Sequence, residues 1–246
     1  MPKAIWWVVI VVAVGLAAGC ARESTNDAVE RKAYVDAISA ASFYNHPSHV
    51  SHQGRRCLAR AYVGVIGVSG LREEVTPQRI RDHPDDTPSD WGIELDDEHG
   101  KSLYKEAKLC LDLRAPVLSF LAGNFPFTLV DAQVACLDEN LEDGLLSTLA
   151  LASLVQGPDM RLKEGPARAV YRLFNSCIGM QGYLVLTLTD DSTPEAIEGC
   201  LRLQINEDLS QRVWVEVFKS GRDGDPTGTE PIAELRQIAD ACSALS

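Results

Sequence analysis

The chain has 246 residues, of which 46% are hydrophobic, and a formal charge of −12. That apolar share is enough to build a packed core and excludes a natively disordered chain. The excess of acid, with no arginine- or lysine-rich run, argues against a nucleic-acid partner, because phosphates would repel it.

Lys3 and the amino terminus supply a positive start, and residues 4–18 form an uncharged apolar run. A bilayer-spanning helix needs about 20 such residues, so this shorter run fits the apolar segment of a secretory leader. Its end, Leu16-Ala17-Ala18-Gly19-Cys20, resembles a bacterial lipobox, although Ala17 stands where a larger aliphatic residue is preferred. The expectation is a leader over 1–19, a lipid-modified Cys20, and a polar tether running to Asp27. Such an anchor holds a protein to the membrane without a spanning helix. Loss of Lys3 with the leader takes the formal charge from −12 to −13.

Six of the seven cysteines follow Cys20, and an even number in an exported chain points to disulfides. No CxxC or CxxH spacing suggests a metal site instead. Placing the cysteines in register exposes a repeat. "HQGRRCLARAYVGVIGVSGL", "DAQVACLDENLEDGLLSTLA" and "EAIEGCLRLQINEDLSQRVW" align on Cys57, Cys136 and Cys200, each followed by leucine. In the third, Ile197, Leu201, Ile205, Leu209, Val213 and Val217 recur every four residues; in the second Leu137, Leu141, Leu145 and Leu149 do; in the first Leu58, Tyr62 and Ile66 do. That spacing predicts one long helix per copy with an apolar face. Thr193-Pro194-Glu195 supplies a cap, a first-turn proline and an early acid ahead of the third.

A second helix type recurs in "SLYKEAKLCLDL", "AVYRLFNSCIGM" and "AELRQIADACSALS", aligned on Cys110, Cys177 and Cys242. The helix "ERKAYVDAISAASFYN" is a further copy, with Ile38 in the cysteine's place. The fold expected is all-α: three tandem disulfide-linked two-helix units packed as a short solenoid or bundle. The divisions are an N-terminal helix plus first unit over 28–130, a second unit over 131–192 and a third over 193–246. Six cysteines allow 15 pairings. Pairing across units would strand Cys57 and Cys242 at opposite ends, whereas Cys57–Cys110, Cys136–Cys177 and Cys200–Cys242 leave none over. Loops of this length contribute roughly 4 kcal/mol per bridge in the chain-entropy model.

The elements "AYVDAI", "LREEVTPQRI" and "TPEAIEGCL" resemble those of secreted proteins and lipoproteins of actinobacteria that carry tandem helical units. There a threonine- and acid-rich start usually precedes the cysteine. The resemblance covers most of residues 28–246, but the start becomes "FTLVDAQ" in the second unit and "HVSHQGR" in the first. It implies an exported helical protein and brings no catalytic residues.

Candidate chemistry is sparse. Asp223, Asp225 and Thr227, with Gly228 and Glu234, match an EF-hand calcium loop at positions 1, 3, 5, 6 and 12. Against that, Glu230 and Pro231 interrupt the pattern and neither sister unit has it; the alternative is a Gly/Asp/Pro turn with Thr229 capping the last helix. His46, His49 and His52 have a zinc-like spacing but lack a fourth ligand, and read as a polar lead-in to a helix. Ser69 in "GVIGVSGL" is not a GxSxG nucleophile, and no HExxH, P-loop or dinucleotide motif occurs. Trp91 and Trp214 are expected to pack. The apolar stretches "PVLSFLAGNFPFTLV" and "CIGMQGYLVLTLT" read as core between units or, alternatively, as a groove for a lipid. The functional expectation is therefore non-enzymatic: binding, or scaffolding at the envelope with an envelope protein as partner. The alternative is a carrier or sensor of an apolar ligand.

Overall fold

A computed structural model describes residues 25–41, 50–123, 128–157, 160–190, 192–221 and 224–244. Among these the chain is all-helical, with twelve α-helices and no strand. They are α1 (Thr25–Ala40), α2 (His52–Glu74), α3 (Pro77–Asp82), α4 (Asp97–Cys110), α5 (Arg114–Gly123), α6 (Asp131–Asn140), α7 (Asp143–Gln156), α8 (Glu164–Ile178), α9 (Met180–Thr187), α10 (Glu195–Gln204), α11 (Glu207–Ser220) and α12 (Glu230–Ser243). A 3-10 turn at Pro226–Gly228 precedes the last. None of these helices is long and apolar enough to cross a membrane.

Three disulfides staple the array as the repeat argument paired them. Cys57–Cys110, Cys136–Cys177 and Cys200–Cys242 join Cα atoms 5.4, 5.6 and 5.6 Å apart. Each links the first-type helix of a unit (α2, α6, α10) to its second-type helix (α4, α8, α12). The leucine after each leading cysteine is buried in every copy: Leu58, Leu137 and Leu201. So is the residue seven before each trailing cysteine: Leu103, Val170 and Leu235. Repetition in sequence is therefore repetition of core positions.

The long first-type helix holds only in the first unit. There α2 runs unbroken past Tyr62 but kinks at Gly67, where φ is 79° and only glycine is at ease. In the other two copies the helix stops and restarts. Leu141 and Ile205, five residues after their cysteines, are extended (ψ 96° and 100°) between α6 and α7 and between α10 and α11. An apolar period of four is satisfied by two short helices as well as by one, so the period could not reveal the break. The restart signal is local: the Asn206 side chain accepts the Leu209 N–H at 2.8 Å, followed by the acids Glu207 and Asp208.

Both breaks are closed by the helix that precedes the unit. Arg114, four residues after Cys110, donates from Nη1 to the Leu141 carbonyl at 3.1 Å and from Nη2 to the Asp138 carbonyl. Gln181, four residues after Cys177, donates from Nε2 to the Ile205 carbonyl at 2.6 Å. The same register position thus satisfies the same orphan carbonyl in two copies.

The third unit's start also differs from expectation. Pro194, not Thr193, occupies the cap position of α10. The Thr193 hydroxyl is taken by Asp190, whose carboxylate also gathers the Ser192 N–H and hydroxyl into a side-chain turn. The stretch between α2 and α4 contains α3, capped by Thr76 with Pro77 in its first turn. "YLVLTLT" lies in and just after α9.

Neighbouring units meet in sequence order. α1 packs on α2 and α3, α4 on α7, α5 on α6 and α7, α8 on α11, and α9 on α10 and α11. Buried side chains form two clusters. The larger runs from Tyr34 to Met180 and takes in Trp214 and Val215 from α11. The smaller joins Leu184 and Val185 of α9 to Leu201, Ile205, Leu209, Val213, Leu235 and Cys242 of the third unit. Trp91 and Trp214 are both packed in the larger cluster.

Candidate functional site

Cys20, the expected leader over 1–19, His46, His49 and Asp223 lie outside the described residues. His52 stands exposed in the first turn of α2. Ser69 is an exposed residue inside α2, two residues past the kink.

Of the calcium-loop residues, Asp225 accepts the Thr227 N–H at 2.8 Å, and its carboxyl is held below the usual range by the Thr227 hydroxyl and then that N–H. Thr227 sits within the 3-10 turn. The Glu234 carboxylate pairs with Arg212 at 2.8 Å, which holds Asp208 as well at 3.0 Å. Thr229 does occupy the cap position of α12, but its hydroxyl donates backwards to the Pro226 carbonyl at 2.8 Å and caps nothing. Among the described residues no group of three or more His, Cys, Asp or Glu side chains is placed to hold a metal.

The apolar stretches expected as core or groove are core in part, with Val130, Leu186 and Leu188 left exposed. Val117, Leu121 and Leu129 are buried, as are Met180, Leu184 and Val185. The buried tyrosines are structural. Tyr34 donates to the Val75 carbonyl at 2.7 Å, Tyr62 to the Leu154 carbonyl, and Tyr171 to the Glu207 carbonyl at 3.4 Å. Burial raises the phenol pKa at all three.

Two open grooves offer room for a ligand. One, of about 680 Å³, follows α2 and α4 past the Cys57–Cys110 bridge, with Arg60, Glu98, His99, Glu106 and Leu109 on its walls. The other, of about 760 Å³, runs between α4 and α7 and is closed on a third side by residues 161–163 and Pro166. Gly100 lets the two helices come together, since a Cβ there would stand 2.7 Å from Leu151 Cδ2. The third wall is pinned twice. The Arg161 N–H donates to Gln156 Oε1 at 2.7 Å, and the Leu162 N–H donates to the Phe218 carbonyl at 3.1 Å.

The second groove carries a mixture that sequence inspection did not assemble. Half-buried Leu151, Ala152 and Val155 make a strip along α7, and Lys101, Lys108, Arg161 and Lys163 stand exposed on its edges. Only Lys101 and Lys108, seven apart on one helix face, left a signal in the sequence; the other two arrive from a different unit. The groove's carboxylates are Asp96, Asp97 and Asp143. Asp96 is committed to capping α4. It accepts the Glu98 and His99 N–H groups at 3.1 and 2.8 Å and faces His99 Nδ1 at 2.8 Å, bonds that hold its carboxyl below the usual range. Asp97 and Asp143 occupy the first turns of α4 and α7, where the helix dipole favours them.

The fold and its staples define a disulfide-linked, all-α helical-repeat protein. Comparison of the chain with protein families, with curated proteins and with solved structures finds no match.

Proposed function

We propose that the chain is a lipid-anchored, extracytoplasmic helical-repeat protein that acts by non-enzymatic binding, as a receptor or scaffold at the cell envelope. The observation that carries this reading is the use of cysteine. Cys57, Cys110, Cys136, Cys177, Cys200 and Cys242 are consumed in three bridges within units. Such bridges persist in oxidising compartments outside the cytoplasm. None of those six remains for Cys20, which follows the apolar leader at the lipobox-like position. The titratable groups support binding over chemistry: the shifted phenols are tied to backbone carbonyls inside the core.

Growth with an alkyne-bearing palmitate tests the anchor. Label should enter the wild-type chain and partition with it into detergent, and Cys20→Ala should abolish both. Label retained in Cys20→Ala would refute the anchor. A second reading, carriage or sensing of an apolar ligand, is favoured by the groove between α4 and α7.

A further inference from the structure

We propose that the α4–α7 groove binds a single-chain anionic lipid, a long acyl chain ending in a carboxylate. The proposal deepens the ligand-binding reading and rests on it. Its volume of about 760 Å³ lies within the roughly 300–1,000 Å³ of small-molecule sites. The strip formed by Leu151, Ala152 and Val155 on α7, with Tyr104 on α4 and Leu162 on the third wall, gives an acyl chain an apolar track. Hydroxyls beside the track do not compete for the ligand, because Ser147 and Thr148 both donate to the Gly144 carbonyl, at 2.9 and 3.0 Å.

Charge selects an anion. Elsewhere six arginines, Arg56, Arg72, Arg114, Arg168, Arg202 and Arg212, are met by carboxylates, and the cations outside ion pairs, such as Arg60 and Arg172, are not gathered on an apolar strip of α7. Among the described residues Lys101, Lys108, Arg161 and Lys163 form none. Lys108 Nζ instead lies 5.8 Å from the centre of the Tyr104 ring. The groove thus gathers four cations outside ion pairs against three carboxylates at helix starts, a local excess of positive charge in a chain of formal charge −12. Lys101 and Lys108 are two helical turns apart, about 10 Å, so one head group meets one end of the rim while the tail runs along the strip. The strip lies below the rim, which favours a free single chain over the flat face of a bilayer.

The test uses the full chain in phosphatidylcholine nanodiscs and a diazirine-bearing palmitate, with crosslinks mapped by peptide mass spectrometry. Crosslinks should fall on residues 95–108, 143–156 and 160–166, and palmitate should compete where palmityl alcohol does not. Lys101→Glu with Arg161→Glu should cut groove labelling roughly tenfold, the scale of one lost charge-assisted contact. The same charge change at exposed positions off the groove, Lys105→Glu with Arg172→Glu, should leave it within about twofold. Ala152→Trp, which fills the strip, should also remove the label. Equal loss in both charge variants, equal competition by the alcohol, or label spread to exposed apolar residues such as Leu203 would overturn the proposal. So would label that tracks added phosphatidylglycerol in the disc, which would assign the cations to the bilayer. None of these outcomes touches acylation of Cys20, so failure here leaves the anchor standing.

Discussion

The first two units and the third are built on the same register but are held differently. Units one and two share one continuous core, in which α1, α2, α4, α7 and α8 cover one another. The third unit closes around a smaller cluster of eight buried residues: six of its own, among them the half-cystine Cys242, and Leu184 and Val185 from α9 of the second unit. α11 serves both sides, sending Leu209 and Val213 inward to the small core and Trp214 and Val215 to the large one. A copied module therefore does not inherit a copied stability: the terminal copy has a neighbour on one side and leans more on its bridge.

The largest effect expected follows from that difference. Chain entropy assigns about 4 kcal/mol to each bridge, so Cys57→Ala/Cys110→Ala and Cys200→Ala/Cys242→Ala should cost similar amounts globally. Hydrogen exchange should separate them. Without Cys200–Cys242 the amides of α10 and α12 should open well below the global unfolding energy, while those of α2 and α8 keep their protection. If α12 stays as protected as α2, the third unit is not an independent weak point. The first-unit variant should show no such local opening, because α2 and α4 remain buried on α1 and α7.

Alkaline pH sharpens the contrast from the other side. Tyr34, Tyr62 and Tyr171 all belong to the large core. Burial raises the pKa of each above 10.0, of Tyr62 well above. The unfolded chain releases these protons first, near 10, so their contribution is whole below that value and declines as pH rises through the folded-state values. Raising pH past 10 should therefore loosen the large core before the small one, followed by near-ultraviolet circular dichroism and exchange of α2. Tyr62→Phe should move that onset upward, at a cost near neutral pH of about 1–2 kcal/mol for the Leu154 carbonyl left without its donor. An unchanged onset would show that Tyr62 does not govern it.

The closures at the helix breaks allow a direct comparison between copies. Arg114 brings a charged fork to the second unit's break and pairs with Asp138 at 2.5 Å, whereas Gln181 brings a neutral amide to the third. Arg114→Ala should cost about 2 kcal/mol and Gln181→Ala about 1, the usual ratio of charged to neutral hydrogen bonds. Equal losses in denaturant melts would mean that charge adds nothing at the break. Such closures explain what could be read from the sequence. The Cys-Leu pair and the four-residue apolar period are local and repeated, so all-α class, register and bridge pairing were legible. Arg114 and Leu141 are 27 residues apart, and nothing near either residue announces the other. The groove was hidden for the same reason: Lys101 and Arg161, 60 residues apart, line one groove where Gly100 lets α4 settle against Leu151.

Two further effects, of opposite sign, lie in α2, the first-type helix whose irregularity falls at Gly67. Gly67 holds φ at 79°, so Gly67→Ala should destabilise by about 1–2 kcal/mol through left-handed strain. Gly64, three residues earlier, is exposed, and a Cβ there would meet no atom within 4 Å. Gly64→Ala should stabilise by about 0.5–1 kcal/mol, since alanine loses less backbone freedom in a helix. Opposite signs in urea melts at matched slope would locate the first unit's irregularity at Gly67, five residues beyond Tyr62. The other two copies break at the register position of Tyr62 itself. Matching signs would mean that α2 straightens readily, and that the first copy differs from its sisters only in lacking their restart signals.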